Sequence, residues 1–314
     1  MNKVESSSAP LVSETTVVPP EKTNTSFISD MKSLLKVGII NSNLITAFVG
    51  FWLALHFSQE TFRDHWGTFL LVMLGSGLVI AGGCILNNWY DADIDPVMKR
   101  TKGRPTVTGT ISMRTVFFMG LTATLLGHVL LLFTTIQATL WAFFGWFTYV
   151  VLYTMWSKRR YTLNTIIGSF SGAVPPLIGW MAIKPELDVI PVILFLTMFI
   201  WQTPHFLALA MKKCEEYRAA GVPMLPVVYG FEFTKRQIIV YIACLLPLPF
   251  LMSSLGNVFV IAATALNLGW LVLGITGLFK KDDLKWANKI FIYSLNYLMI
   301  LFLLMVVVTV DFSF

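Results

Sequence analysis

Residues 66–105 read WGTFLLVMLGSGLVIAGGCILNNWYDADIDPVMKRTKGRP. Positions 66–86 carry no charge and are long enough to cross a bilayer as a helix, which takes about 20 apolar residues. The polar residues that follow are spaced by four: Asn87, Asp91 and Asp95. On a helix that spacing stacks the three side chains on one face. Pro96 disfavours helical geometry at Asp95, so the helix is expected to end there. Carboxylates at a helix C-terminus repel each other and meet the negative end of the macrodipole. The arrangement is costly unless a cation sits among them, and oxygen-only ligands at this spacing suit Mg²⁺. Lys99, Arg100, Lys102 and Arg104 come directly afterwards. Carboxylates for a divalent cation beside Lys and Arg for phosphate oxygens make a diphosphate site. A solvated loop with membrane-anchoring bases would explain the basic residues alone, but not the acids at the helix end.

Eight further apolar stretches lie near 37–57, 114–134, 137–156, 162–183, 189–210, 237–255, 258–279 and 290–310. The chain is therefore expected to be all-α, a polytopic membrane protein of about nine transmembrane helices with the lipid bilayer as solvent. Composition agrees. Of 314 residues, 56% are hydrophobic and 13% charged, against about 25% charged in soluble domains, and mean hydropathy is +0.71. All 23 Lys and Arg except Arg63 and Lys184 fall on one set of alternate connections. The positive-inside rule then places the N-terminus inside, the C-terminus outside and the long polar loops on the cytoplasmic side. The net charge of +6 is spread over short runs between spans, which argues against nucleic acid as a partner. Cys84, Cys214 and Cys244 form no CxxC pair and no disulfide framework. Residues 1–30 are rich in Ser, Thr, Val and Pro and lack a signal-peptide core. They read as a disordered cytoplasmic tail before a membrane domain at 31–314.

The acidic motif resembles the N-x-x-x-D-x-x-x-D signature of the UbiA superfamily of intramembrane prenyltransferases. The Asn87-Asn88 start and the run Thr101-Lys102-Gly103-Arg104-Pro105 are similar to its haem-farnesylating branch. Other segments carry the same resemblance. YTMWSKRR at 153–160 would bring Lys158 and Arg159 to the diphosphate from a second direction. Gly168, Gly172, Pro175, Pro176 and Gly179 within one span suit close helix approach and a kink. WQTPHFLALAMKKCEEYRAAGVPMLP at 201–226 stands where the superfamily has a second acidic motif, yet holds only Glu215 and Glu216.

The resemblance implies transfer of a farnesyl group from farnesyl diphosphate to a vinyl group of haem B, with Mg²⁺ as cofactor, in a bacterial cell membrane. A haem A synthase would be a partner downstream. Asn87, Asp91 and Asp95 would bind the metal. Lys99, Lys102, Arg104, Lys158 and Arg159 would bind the diphosphate; either the first motif binds most of the metal, or Glu216 adds a single contact. His205, Tyr153 and Trp201 would face the haem or the prenyl chain, and His128 is a second candidate for haem contact. A satisfied histidine beside a kink explains His205 equally well. Trp89, Tyr90 and Tyr149, with Tyr153 and Trp201, could shield an allylic cation. A quinone-precursor acceptor is disfavoured by the Asn-Asn start and the depleted second loop. A secondary transporter is disfavoured because the acids lie at span ends rather than the midplane.

Overall fold

The computed structural model describes residues 27–310. It is all-helical, with no strand among the described residues. In chain order the helices are α1 (Phe27–Leu35), α2 (Val37–Ser58), α3 (Trp66–Tyr90), the single turn α4 (Pro105–Thr108), α5 (Met113–Leu132), α6 (Ile136–Phe147), α7 (Asn164–Ala173), α8 (Pro175–Met181), α9 (Val189–Lys212), α10 (Cys214–Ala219), α11 (Leu225–Ala243), α12 (Leu248–Leu251), α13 (Asn257–Ile275) and α14 (Asp283–Val307). Among the described residues, eight helical stretches are long and apolar enough to span a membrane. The ninth expected span, 162–183, is α7 followed by α8, two short helices meeting at Val174. Pro175 and Pro176 cannot donate backbone hydrogen bonds, so the ladder is interrupted there. The tail expected at 1–30 lies outside the described residues up to position 26, and its last four residues already belong to α1.

Three departures from the expected elements have local causes. Residues 225–236, read as loop, are helical. Met224 is extended, Pro226 sits in the first turn of α11, and Gly230 bends the helix with φ +76°. The span at 137–156 is α-helical only to Phe147 and continues as a π-helix over Thr148–Ser157. α3 ends at Tyr90 rather than at Asp95; Asp91 caps it and Asp95 opens a 3₁₀ turn with Pro96.

Small residues set how closely the spans pack. α3 lies along α5, and a Cβ at Gly82 would stand 2.2 Å from Thr124 Oγ1 and 2.7 Å from the Gly120 carbonyl. α2 crosses α8 as tightly: a Cβ at Gly50 would meet the Pro176 carbonyl at 1.9 Å, and one at Gly179 the Ala47 carbonyl at 1.9 Å. These are the small-residue contacts that let helices associate in lipid. Trp180, Trp270, Trp286 and Tyr297 are fully buried in the interior. Phe118, Leu125, Leu140, Val258 and Ile261 point outward, an apolar exterior suited to acyl chains. The polar loops at 91–112, 158–163 and 213–224 gather at one end. There Arg159 bonds Asp93, and Ile94 packs with Tyr217 and Val222.

Candidate active site

The three motif residues are buried: Asn87 is 3% exposed, Asp91 and Asp95 both 0%. Although regular helix stops at Tyr90, the Asp91 amide still donates to the Asn87 carbonyl at 3.0 Å and the Asp95 amide to the Asp91 carbonyl at 3.0 Å. The i−4 register thus survives past the cap, and the expected single face is kept.

Each member has a cation beside it. Lys158 and Arg159 both bond the Asp91 carboxylate, Arg159 Nη2 at 3.4 Å. Arg104 Nη1 donates to Asp95 Oδ2 at 2.5 Å, and Thr101 Oγ1 to the Asp95 carbonyl at 2.8 Å. Lys36 Nζ donates to Asn87 Oδ1 at 2.5 Å. Asn87 Nδ2 in turn donates to Asp91 Oδ2 at 2.9 Å and Thr154 Oγ1 at 3.1 Å. Burial lowers the Lys36 ammonium to about 8, because the charged form loses water there.

Arg159 also holds Asp93 with two bonds of 2.6 and 2.7 Å, donates to the Tyr90 carbonyl at 2.9 Å and lies 4.9 Å above the Tyr90 ring. The Arg159 hydrogen bond is what lowers the Asp93 carboxyl, and the same bond raises the guanidinium.

The π-helix explains how the second segment reaches the first. Its wider turn shows in the bond from the Lys158 amide to the Tyr153 carbonyl, five residues back, at 2.9 Å. Thr154 Oγ1 donates to the Tyr149 carbonyl at 2.8 Å while accepting from Asn87. π-turns are rare and frequent at functional sites; here one carries Thr154 and Lys158 to α3. Tyr149 and Tyr153 stack at 5.8 Å and 16°, and Gly168 leaves room for Tyr153, since a Cβ there would stand 3.1 Å from its ring.

Of the expected site residues, Asn87, Asp91, Asp95, Arg104, Lys158 and Arg159 are brought together. Lys99 and Lys102 are exposed and bond neither acid. Glu216 is bonded to Lys213 at 2.8 Å, which lowers its carboxyl; Lys213, Arg100 and Lys99 add in the same direction. The second loop therefore faces the first across a basic gap. Tyr217 is raised chiefly by burial, with Tyr153, Arg100 and Lys158 also in electrostatic reach.

Trp201 and His205 form a separate group against α14. Among the described residues no hydrogen bond or ion pair joins it to the acid cluster. His128 stands apart on α5, its Nδ1 2.7 Å from the Thr124 carbonyl. Sequence reasoning missed Lys36, Thr154 and Asp93. Lys36 entered only among the basic residues counted on one side; it sits in a left-handed turn (φ +53°) between α1 and α2.

Among the described residues no three His, Cys, Asp or Glu side chains form a ready-made metal cage. The chemistry still fits Mg²⁺, which binds through one or two carboxylates and completes its shell with phosphate oxygens and water. Asp95 Oδ1 is buried with no hydrogen-bond partner among the described residues, a free oxygen of the kind that ion needs.

The profile of the UbiA prenyltransferase family matches residues 43–295. The protoheme IX farnesyltransferase of Oceanobacillus iheyensis is 62% identical over 309 residues, covering 98% of each chain. Protoheme IX farnesyltransferase 2 of Bacillus subtilis is 59% identical over 280 residues, covering 89% of this chain and 92% of its own. Among solved structures, a UbiA homologue from Archaeoglobus fulgidus bound to DMAPP and Mg²⁺ superposes with a TM-score of 0.68 at 17% identity, over 88% of this chain and 99% of that one. A digeranylgeranylglyceryl phosphate synthase gives 0.72 at 22% identity, over 90% and 98%. The first two relatives match nearly end to end, and the structures share the fold: the chain belongs to the UbiA prenyltransferase family.

Proposed function

We propose that the protein transfers the farnesyl group of farnesyl diphosphate to a vinyl group of haem B. The ester C–O bond breaks and diphosphate leaves. A C–C bond forms at the terminal vinyl carbon, water supplies a hydroxyl to the inner carbon, and a proton is released. The product carries a hydroxyethylfarnesyl side chain. Supporting the acceptor are two relatives at about 60% identity whose names state this activity.

The observation that carries the reading is the buried Asn87–Asp91–Asp95 face ringed by Lys36, Arg104, Lys158 and Arg159 at one end of an apolar bundle. Asn87, Asp91 and Asp95 would hold Mg²⁺, which when bound neutralises charge on the departing diphosphate. The four bases do the remaining work. In a site shielded from water, fixed ammonium and guanidinium groups stabilise the developing negative charge without reorganising. Tyr149 and Tyr153, stacked beside the cluster, offer ring faces to an allylic cation. Two alternate sets of connections differ sharply in Lys and Arg, and the cluster lies on the rich side, so we place it at the cytoplasmic face.

The test is turnover of labelled farnesyl diphosphate by purified protein with haem B and Mg²⁺. Asp91→Ala and Asp95→Ala should each lose at least about 100-fold, the cost of removing a transition-state charge partner. Near-normal turnover by both, or label entering a quinone precursor rather than haem, overturns the proposal.

A further inference from the structure

Ser294 on α14 has one hydroxyl proton and donates it to the Phe291 carbonyl at 2.6 Å. Its oxygen is then only an acceptor toward His205 Nδ1, 2.7 Å away. The imidazole must therefore carry a proton on Nδ1. In the neutral ring Nε2 is left with a free lone pair. Among the described residues no group hydrogen-bonds Nε2, and it is not one of the buried polar atoms sealed off without a partner.

The ring cannot turn away from this setting. Trp201 stacks on one face at 4.8 Å and 21°, Phe291 on the other at 4.8 Å and 27°. Trp201 is itself fixed, its Nε1 donating to the Ser294 carbonyl at 2.9 Å. One residue of α14 thus sets both the tautomer of His205 and the position of the ring that clamps it. His128 also has Nδ1 on an oxygen and Nε2 unbonded, but its Nε2 is sealed in the interior, whereas that of His205 is not. A histidine whose Nδ1–H is held by an oxygen while Nε2 stays open has the arrangement of a metal ligand.

Among the described residues no group of three or more His, Cys, Asp or Glu is found, here or elsewhere. A bare divalent ion needs several protein donors. An iron porphyrin brings four nitrogens of its own and asks the protein for one axial imidazole. We propose that His205 Nε2 ligates the iron of the haem acceptor and that Ser294 is the positioning residue that fixes its tautomer. This rests on the reading of haem as acceptor.

The experiment titrates ferric haem B, and separately metal-free protoporphyrin IX, into the detergent-purified full chain, followed by Soret absorbance and electron paramagnetic resonance. The wild type should give an imidazole-ligated iron spectrum. His205→Ala should lose it and regain it on adding free imidazole. Ser294→Ala should weaken haem binding about 10-fold or more, the usual cost of losing a partner that orients a ligand, and Ser294→Thr should restore it. Metal-free protoporphyrin should bind all four proteins alike. An unchanged iron spectrum in His205→Ala refutes the assignment. So do equal losses for metal-free protoporphyrin, which would mean a packing role. Label transfer by the wild type separates the two proposals. No farnesylated haem removes the acceptor reading; farnesylated haem with an unchanged His205→Ala spectrum removes only the ligand.

Discussion

Arg104→Gln tests whether the buried ion pairs are the electrostatic frame of the site. The Arg104 and Asp95 side chains are 8% and 1% exposed. Asp95 Oδ2 accepts from Arg104, and Oδ1 has no partner among the described residues. Glutamine leaves a carboxylate sealed from water with no cation. Breaking a buried pair in this way costs about 3–5 kcal/mol. Each kcal/mol moves Tm by roughly 2–4 °C at 150–250 residues and less in a longer chain, so the apparent Tm should fall by several degrees. The assay is thermal unfolding in mild detergent with chelator present. The double variant Arg104→Gln/Asp95→Asn removes the stranded charge and should recover most of the loss, while activity stays low. A single variant within about 1 kcal/mol of wild type, or a double variant no more stable than the single, would refute the reasoning.

Thr154→Val removes the hydroxyl that accepts from Asn87 and donates to the Tyr149 carbonyl inside the π-turn. Farnesyl-transfer kcat should fall about 10-fold or more with a smaller change in Tm, since one buried hydrogen bond is worth about 1 kcal/mol; equal kinetics would detach the π-turn from the site. Gly179→Ala forces a methyl to within 1.9 Å of the Ala47 carbonyl, and overpacking of this kind costs about 1–3 kcal/mol or more. Folded yield in membranes should drop sharply, whereas Gly103→Ala, with nothing within 4 Å, should be silent.

The class of fold could be read directly because lipid imposes a simple rule: an uncharged run of about 20 residues has few options besides a spanning helix. The interruptions were legible only in part. Pro175 and Pro176 point to the kink at which one span divides into α7 and α8, but hydropathy does not register that Thr148–Ser157 winds as a π-helix. The acids were legible because their spacing survives as i−4 hydrogen bonds from Asn87 to Asp95. Their counter-ions were only half legible. Arg104, Lys158 and Arg159 lie close to recognisable motifs, but Lys99 and Lys102 in the same run are exposed, and spacing along a loop does not say which base folds inward. Lys36 lay outside every motif, 51 residues from its partner Asn87. Ser294 was invisible for the same reason. Nothing in the sequence sets it apart from its polar neighbours Tyr293, Asn296 and Tyr297 until the contact of α9 with α14 places it against His205.

The charge balance of the cluster bears on how many metal ions it can take. Lys36, Arg104, Lys158 and Arg159 face Asp91, Asp93 and Asp95, an excess of one positive charge. A fully ionised prenyl diphosphate brings about three negative charges, and a single Mg²⁺ then brings the assembly to neutrality. A second ion would leave two unbalanced positive charges in a buried site, where solvation is poor. The second loop has little to offset them. Glu215 is exposed and bonded to Arg218, and Glu216 is already bonded to Lys213. One ion per chain is therefore expected, seen as a stoichiometry of one in calorimetric titration of Mg²⁺ with a non-hydrolysable farnesyl diphosphate analogue present. Two equivalents bound would mean that Glu216 gives up Lys213 to become a ligand. Glu216→Gln would then remove one equivalent, whereas under the single-ion arrangement it should leave the stoichiometry unchanged.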